Sequence, residues 1–297
     1  MLKKRLAISL PLVAVALLSF FWAGLPGALV FCLLAAILIV TAVLEFSAMT
    51  KSMGYPGMPK MMSLFALLLL ALAALPSMLG SEAPSVNAEL EILVLFLFLA
   101  GGFVRIFHRP PKPENLIGHF VCMGGFIYVC WTLTFIAKLY FSSGLDSGGR
   151  YLTLFLLTVT KLGDIGGFIA GTLTAKRANG NHKLAPILSP KKSWEGLLGS
   201  IGFSVVGAVG LYYLLGESFV IGHTPVLDFK SVLFFGLLFP VLGLVGDLAE
   251  SGLKRASGSK DSGRLPGLGG ALDLLDSLIL VAPVFYCYVR IADVLAG

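Results

Sequence analysis

The sequence predicts an all-α, polytopic membrane protein with about nine transmembrane helices, each long enough for a ~30 Å bilayer core. Hydrophobic residues make up 57% of the chain and charged residues only 13%. The mean hydropathy is +0.92, whereas a soluble domain carries roughly twice this charged fraction. Apolar runs recur from the first residues almost to the last, which excludes an ordinary soluble domain.

The predicted spans are the apolar runs of about 20 residues between polar or Gly/Pro-rich breaks. They cover residues 6–23, 27–49, 62–80, 90–107, 117–141, 151–174, 194–216, 231–250 and 272–295. No polar stretch is long enough to bury a core of its own, so we expect a single integral-membrane domain over residues 1–297. Residues 1–115 would form N-terminal helices, and residues 116–297 the catalytic helices and loops.

Basic residues predict the orientation of the chain. Most of the 22 Lys and Arg residues fall at the N-terminus or in the loops after spans 2, 4, 6 and 8. With nine spans, these segments share one face, which the positive-inside rule makes cytoplasmic. We therefore expect a multi-pass protein of the cytoplasmic or inner membrane, with a cytoplasmic N-terminus and a polar active-site cavity at the cytoplasmic side.

Two of these loops hold more polar residues than a connection requires. The loop after span 6 contains Ser189, Lys191 and Lys192, which an ordinary turn and a positive flank would also explain. The second polar stretch begins in span 8. If span 8 continues as a helix, one face carries four polar side chains: Asp247, Glu250, Ser251 and Lys254.

Asp273 and Asp276 stand three residues apart where span 9 begins, so both carboxylates project from one helical face. Two such charges repel each other unless a cation lies between them. Aspartate oxygens suit Mg²⁺, which usually binds one or two carboxylates together with substrate phosphates. The alternative is that the pair only favours the helix N-terminus through its dipole.

Phosphate binding is the second chemistry that this region favours. Between spans 8 and 9 the chain is rich in lysine, arginine and glycine, which offer cations and backbone N–H groups to phosphate oxygens. It lacks the P-loop pattern G-x-x-x-x-G-K-[ST]. Asp164 lies inside span 6, where a carboxylate usually faces a polar cavity, and Lys161 one turn earlier would neutralise it.

These motifs resemble those of the phosphatidate cytidylyltransferase (CDP-diacylglycerol synthase) family over essentially the whole chain. The family pattern K-x-A-P-x-x-S-P-K-K-[ST]-W-E-G matches residues 183–196. The patterns S-x-x-K-R-x4-K-D-x-G and P-G-H-G-G-x-x-D-R-x-D match at Ser251, Lys254, Arg255, Lys260, Asp261, Gly263, Pro266, Gly267, Gly269, Gly270, Asp273 and Asp276. Leu268 and Leu274 replace the family's histidine and arginine, and Thr172 stands where the family has arginine after Gly171.

The resemblance implies an enzyme that condenses CTP with phosphatidic acid to give CDP-diacylglycerol and pyrophosphate. It implies one or two Mg²⁺ ions held by Asp247, Asp273 and Asp276, with room for a monovalent cation. The other catalytic residues would be Lys254, Lys260 and Asp261. Substrate-binding residues would be Ser189, Lys191, Lys192, Ser251, Arg255, Gly269, Gly270 and Asp164.

The expected partners are CTP, phosphatidic acid and membrane lipid, with no nucleic acid and with a homodimer left open. Two alternatives stay open beside this function. One is a membrane phosphotransferase acting on a nucleotide-activated lipid, although the D-G-x2-A-R signature of the CDP-alcohol enzymes is absent. The other is a transporter that couples an ion to Asp164 and Lys161, although transporters usually place their site near the midplane.

Overall fold

The computed structural model describes residues 14–296, except 56, 81–85, 109, 111, 146, 178–179 and 260–269. Within this part of the chain, eight helices are long and apolar enough to cross a membrane. The predicted first span lies mostly outside it, and the described part, residues 14–21, is helical. The prediction of an all-α polytopic membrane protein is confirmed.

Ten α-helices follow one another in the described residues. They are α1 (14–21), α2 (Leu25–Ser52), α3 (Pro59–Met78), α4 (Val86–Phe107), α5 (Pro113–Gly125), α6 (Thr132–Tyr140), α7 (Ser147–Ala175), α8 (Trp194–Leu215), α9 (Phe229–Ala256) and α10 (Ala271–Ala296). Two short antiparallel ribbons join them. Strands β1 (Lys183–Ala185) and β2 (Ser189–Ser193) connect α7 to α8, and β3 (Val220–Ile221) and β4 (Thr224–Pro225) connect α8 to α9.

The predicted spans and the observed helices agree to within a few residues, with two informative differences. Helix α9 continues to Ala256, six residues beyond the predicted end at 250, as the shared polar face of Asp247 and Lys254 requires. The predicted span 117–141 corresponds to α5 and α6, which a π-helical segment, Phe126–Trp131, connects. Such segments change the direction of side chains along a helix without ending it.

The chain divides into two compact units. The first, called the N-terminal unit here, consists of Met1–Leu145 and Leu253–Leu274; the second, the C-terminal unit, consists of Asp146–Gly252 and Leu275–Gly297. Helices α9 and α10 each contribute residues to both units.

Aromatic side chains form the core of the N-terminal unit. The rings of Phe98 and Phe126 stack at 4.1 Å, and those of Phe31 and Tyr140 at 3.9 Å. The buried Tyr140 hydroxyl donates a hydrogen bond to the backbone carbonyl of Ser19 at 2.6 Å. The polar end of this large side chain is therefore satisfied inside an otherwise apolar core.

Glycines bring α7 and α8 into close antiparallel contact in the C-terminal unit. A Cβ atom added at Gly166 would lie 2.5 Å from the backbone oxygen of Gly199, and one added at Gly199 would lie 2.3 Å from the Cβ of Ala170. Small residues allow helix backbones to approach in this way in membranes, where packing rather than hydrophobicity drives association. The β1–β2 ribbon connects α7 to α8, so the packing of these two helices sets the position of the ribbon.

Candidate active site

Hydrogen bonds join the start of the β1–β2 ribbon to the first residues of α8. The Glu195 carboxylate accepts a hydrogen bond from the His182 ring at 2.6 Å and from its backbone N–H at 3.1 Å. The backbone N–H of Trp194 donates to the carbonyl of His182 at 3.0 Å. Ser193 caps α8 by accepting from the N–H of Gly196 at 3.1 Å. The segment is therefore a well-anchored ribbon with defined register.

The ribbon lies beside α9 within the C-terminal unit. The Lys192 ammonium group forms an ion pair with the Asp247 carboxylate. At the ribbon's turn, the Leu188 side chain lies 4.0 Å from the position of a Cβ added at Gly252. Two residues that the sequence assigned to substrate and metal binding, Lys192 and Asp247, are thus in direct contact.

A second polar group in the C-terminal unit joins α7 to α10. The Lys161 ammonium nitrogen lies 2.9 Å from both the Asp164 carboxylate and the Ser277 hydroxyl, and that hydroxyl donates to Asp164 at 3.0 Å. The predicted pairing of Lys161 with Asp164 is confirmed. Ser277 completes a closed triangle of hydrogen bonds, which satisfies each charged group inside membrane-spanning helices.

Asp276 is buried in the same unit, with 8% of the residue exposed. The charges of Asp247, Lys161 and Asp164 all act on it. A Cβ added at Gly246 would lie 2.3 Å from the backbone oxygen of Asp276, so glycine is needed where α9 and α10 touch here. The close approach of α9 and α10 places Asp276 where the like charges of Asp247 and Asp164 act on it.

A separate polar cluster in the N-terminal unit surrounds the start of α10. The Asp273 carboxylate pairs with Lys254 at 2.5 Å and accepts a hydrogen bond from the backbone N–H of Gly270 at 2.9 Å. The Glu45 carboxylate accepts hydrogen bonds from the backbone N–H groups of Ala271 and Leu272. Asp273 therefore caps the helix, which is one of the two roles that the sequence left open for it.

The remaining predicted site residues lie on α9, on the ribbon and in the connection between α9 and α10. Ser251 is half-buried and Arg255 exposed, both on α9, while Ser189 and the exposed Lys191 lie on β2. Lys260, Asp261 and Gly269 lie outside the described residues, so their assignment stays a prediction.

Sequence reasoning gave no role to Glu45 or Ser277, and it missed the bond between His182 and Glu195. Glu45 is an acidic residue within an apolar run, a signal that usually marks a functional or structural polar contact in a membrane helix. Ser277 carried no such signal, because serine is common in apolar helices. Glu195 lay within the recognised motif, but its partner thirteen residues away depends on the ribbon.

The fit of the site to Mg²⁺ can be judged from its donors. Among the described residues, no three His, Cys, Asp or Glu side chains are arranged to hold a metal ion. Asp247 and Asp273 are each paired with a lysine instead. Mg²⁺ usually takes only one or two carboxylates and completes its octahedron with water and substrate phosphates, so the carboxylate donors suit it.

Fold and polar clusters together define a polytopic membrane protein with lysine–aspartate ion pairs on its helices and on the β1–β2 ribbon. Residues 3–292 match the model of the cytidylyltransferase family. The chain belongs to that family.

Several relatives support this membership. A phosphatidate cytidylyltransferase of Staphylococcus epidermidis is 32% identical over 275 residues, which cover 91% of this chain and 94% of the relative. A phosphatidate cytidylyltransferase of Mycobacterium bovis is 35% identical over 135 residues, 45% of this chain and 39% of its own length. The Escherichia coli protein YnbB, which has no characterised function, is 40% identical over 146 residues, 48% of this chain and 44% of its own length.

Proposed function

We propose that this protein is a phosphatidate cytidylyltransferase that condenses CTP with phosphatidic acid to give CDP-diacylglycerol and pyrophosphate. The observation that carries the proposal is the similarity to the Staphylococcus epidermidis phosphatidate cytidylyltransferase over 91% of this chain. Membership of the cytidylyltransferase family and the matching motifs in the β1–β2 ribbon and along α9 and α10 support it.

The reaction requires little acid–base chemistry. A phosphate oxygen of phosphatidic acid is already ionised near neutral pH, and it attacks the α-phosphorus of CTP while pyrophosphate leaves. Catalysis of such a transfer rests on holding the two phosphates in line and on neutralising their charge. Positively charged side chains with fixed directions serve both needs.

In this proposal, Lys192 and Lys254 bind phosphate oxygens of the substrates, with Arg255 beside Lys254 on α9. Lys192 and Lys254 are each held against a carboxylate in the ligand-free protein. These pairs orient the two ammonium groups before substrate binds. An incoming polyphosphate would then compete with Asp247 and Asp273 for them, because a polyphosphate carries several negative charges and a carboxylate only one.

The same exchange would release carboxylates for a cation. We propose that Asp247, Asp273 and Asp276 hold one or two Mg²⁺ ions once Lys192 and Lys254 have turned from Asp247 and Asp273 to phosphate. The ion would neutralise charge on the phosphate oxygens as a Lewis acid. The burial of Asp276 beside like charges supports a site that gains stability from a bound cation.

We also propose that this chemistry takes place on the cytoplasmic side, where CTP is available. The bias of Lys and Arg toward one set of loops supports this orientation. The diacylglycerol chains of the substrate would stay in the bilayer while its phosphate reaches the polar clusters.

The decisive experiment incubates the purified protein in detergent with CTP labelled at the α-phosphate, phosphatidic acid and Mg²⁺. Formation of a labelled lipid together with pyrophosphate supports the proposal, and its dependence on CTP separates it from a transferase that uses an activated lipid. A transporter would give no covalent product. Label that stays in water-soluble nucleotide in every condition contradicts the proposed function.

A pair of lysine variants tests the phosphate contact. Lys192→Met should reduce turnover strongly, because it removes a charge proposed to contact substrate. Lys183→Met is the matched control on the same ribbon, where the lysine donates to the Asn181 side chain at 2.9 Å. Equal losses in the two variants would show that the ribbon needs positive charge in general rather than Lys192 in particular.

A further inference from the structure

Both ends of the connection between α9 and α10 are bonded to one helix, α2. The two carboxylate oxygens of Glu45 accept the backbone N–H groups of Ala271 and Leu272, each at 2.9 Å. Farther along α2, the Ser52 hydroxyl lies 3.0 Å from the backbone carbonyl of Ser257 and 2.7 Å from that of Met49, so the two oxygens share its single proton. Two turns of helix separate Glu45 from Ser52, so both lie on one face of α2.

Glu45 acts as a helix cap supplied by another helix. The first N–H groups of a helix have no partner within the helix. The positive end of the helix dipole lies there as well, and it favours a nearby carboxylate. Glu45 is buried, with 7% of the residue exposed, and a buried carboxylate must be hydrogen-bonded to be tolerated. Each group therefore satisfies the other, and the start of α10 is fixed to α2.

This cap determines the position of two proposed reaction residues. Asp273 lies on the first turn of α10, where it accepts from Gly270 and pairs with Lys254 on α9. The direction of a side chain follows from the position of its helix. A displacement of the start of α10 would therefore move Asp273 and alter its pairing with Lys254.

We propose that Glu45 is a positioning residue for nucleotidyl transfer: by capping α10 from α2, it holds Asp273 and Lys254 in the arrangement that the reaction uses. This inference rests on the proposed function for its catalytic part. It also assigns the first N–H groups of α10 to carboxylates. In the ligand-free protein, the N–H groups of Gly270, Ala271 and Leu272 are therefore not open to a substrate phosphate, although a helix N-terminus is often such a binding site.

The test compares Glu45→Gln and Glu45→Ala with the parent protein in detergent. Hydrogen exchange at Ala271 and Leu272 measures the cap, and kcat and KM for CTP measure positioning. Both exchange rates should rise in Glu45→Ala, with kcat falling between about tenfold and a hundredfold, as for a misplaced catalytic group. The glutamine variant should lie between the two, because its amide oxygen keeps one acceptor.

Glu91→Gln is the matched control. Glu91 is another buried carboxylate of the N-terminal unit, with 6% of the residue exposed, and it pairs with Lys138 at 2.9 Å. Its loss should lower the melting temperature but leave exchange at Ala271 and the kinetics of folded protein unchanged. Should Glu45→Ala fail to fold, Ser52→Ala provides the test, because it removes the exposed hydroxyl that contacts the Ser257 carbonyl from the same face of α2. This variant should show a smaller rise in exchange and a smaller fall in kcat.

Each result decides a different part of the inference. Unchanged exchange at Ala271 and Leu272 in both Glu45 variants overturns the cap. Faster exchange with kcat and KM equal to the parent overturns the positioning role and leaves the proposed function standing. A parent protein that makes no labelled lipid overturns the proposed function and the catalytic part of this inference together, whereas exchange still decides the cap.

Discussion

At the scale of single residues, Asp273 and Asp276 show how one sequence spacing can lead to two environments. Asp273 caps α10 and pairs with Lys254, so its carboxylate is satisfied by the protein itself. Asp276, one turn later, is buried where Asp247 and Asp164 add like charge. The two aspartates should therefore respond differently to loss of charge, even if both bind Mg²⁺.

The first prediction concerns Asp273→Asn and Asp276→Asn without substrate or metal. The Asp273→Asn variant would keep an acceptor for the N–H of Gly270 in its amide oxygen, but would lose the Lys254 ion pair. This variant should therefore be slightly less stable than the parent. Asp276→Asn should be equally or more stable, because it removes like-charge repulsion from a buried site. Thermal unfolding in detergent measures both effects.

Adding Mg²⁺ to the same samples tests metal binding. If these aspartates are ligands, Mg²⁺ should stabilise the parent by about 2.7 kcal/mol at a hundredfold excess over its dissociation constant and each variant much less. Both variants should also lose CTP-dependent pyrophosphate release. Asp293→Asn is the control, because Asp293 lies on the same helix and pairs with Arg290 at 3.2 Å. Full activity in either variant, or an unchanged Mg²⁺ effect in both, would contradict metal ligation.

At the scale of helices, contact between α7 and α8 depends on glycines that hydropathy alone does not distinguish. Gly199 faces α7 closely, whereas nothing lies within 4 Å of a Cβ added at Gly202, three residues later on α8. Both are glycines in the same apolar run. Only the packing of α8 against α7 makes one of them necessary.

The second prediction follows from this difference. Gly199→Ala should destabilise the protein by about 1–3 kcal/mol, the usual cost of overpacking a tight contact. Gly202→Ala should be neutral or stabilising, by up to about 1 kcal/mol, because alanine favours the helix more than glycine does. Melting temperatures of the two variants in the same detergent provide the comparison. Equal destabilisation by both changes would show that the close approach is not required.

The third prediction concerns the start of α9 and its dependence on pH. The Ser231 hydroxyl and backbone N–H donate to the Asp228 carboxylate, and these hydrogen bonds lower the pKa of Asp228 below its usual range. A lowered folded-state pKa means that the charged cap stabilises the protein above the unfolded pKa of about 4. That stabilisation is lost as the pH falls through the folded pKa.

Asp228→Ala should therefore lower stability at pH 7 by about 1 kcal/mol, a typical loss for a helix cap. The gap in melting temperature between the parent and this variant should narrow as the pH falls from about 4, the unfolded pKa, through the lower folded-state pKa of Asp228. Asp228→Asn, which keeps an acceptor, should lie close to the parent at neutral pH. A gap that stays constant down to the acid limit of folding would rule out the charged cap.

At the scale of the whole molecule, orientation in the membrane leads to the fourth prediction. Ile187 lies at the turn of the β1–β2 ribbon and is 90% exposed, and His223 is exposed at the turn between β3 and β4. The positive-inside rule puts the first turn inside the cell and the second outside. In a background with the exposed Cys287 changed to serine, an impermeant maleimide should label His223→Cys in intact cells and Ile187→Cys only after lysis. Reversed labelling would invert the topology.

How far sequence could predict this protein depends on how local each feature is. The approximate positions of the helices followed from runs of apolar residues, because a bilayer requires about 20 of them in succession. The pairing of Lys161 with Asp164 followed from helical spacing. The pairing of Lys192 with Asp247 joins residues far apart in the chain, so the motifs indicated their importance but not their contact.

The sequence by itself determined the class of protein, the approximate position of each described membrane helix, the family and most candidate site residues. These features depend on composition, period and motif, which are properties of neighbouring residues. Only the tertiary structure decided that Asp273 caps α10, that Ser277 joins Lys161 to Asp164, and that Glu45 of α2 holds the start of α10. Hydrogen bonds have short range, so contacts between distant segments exist only once packing brings the helices together.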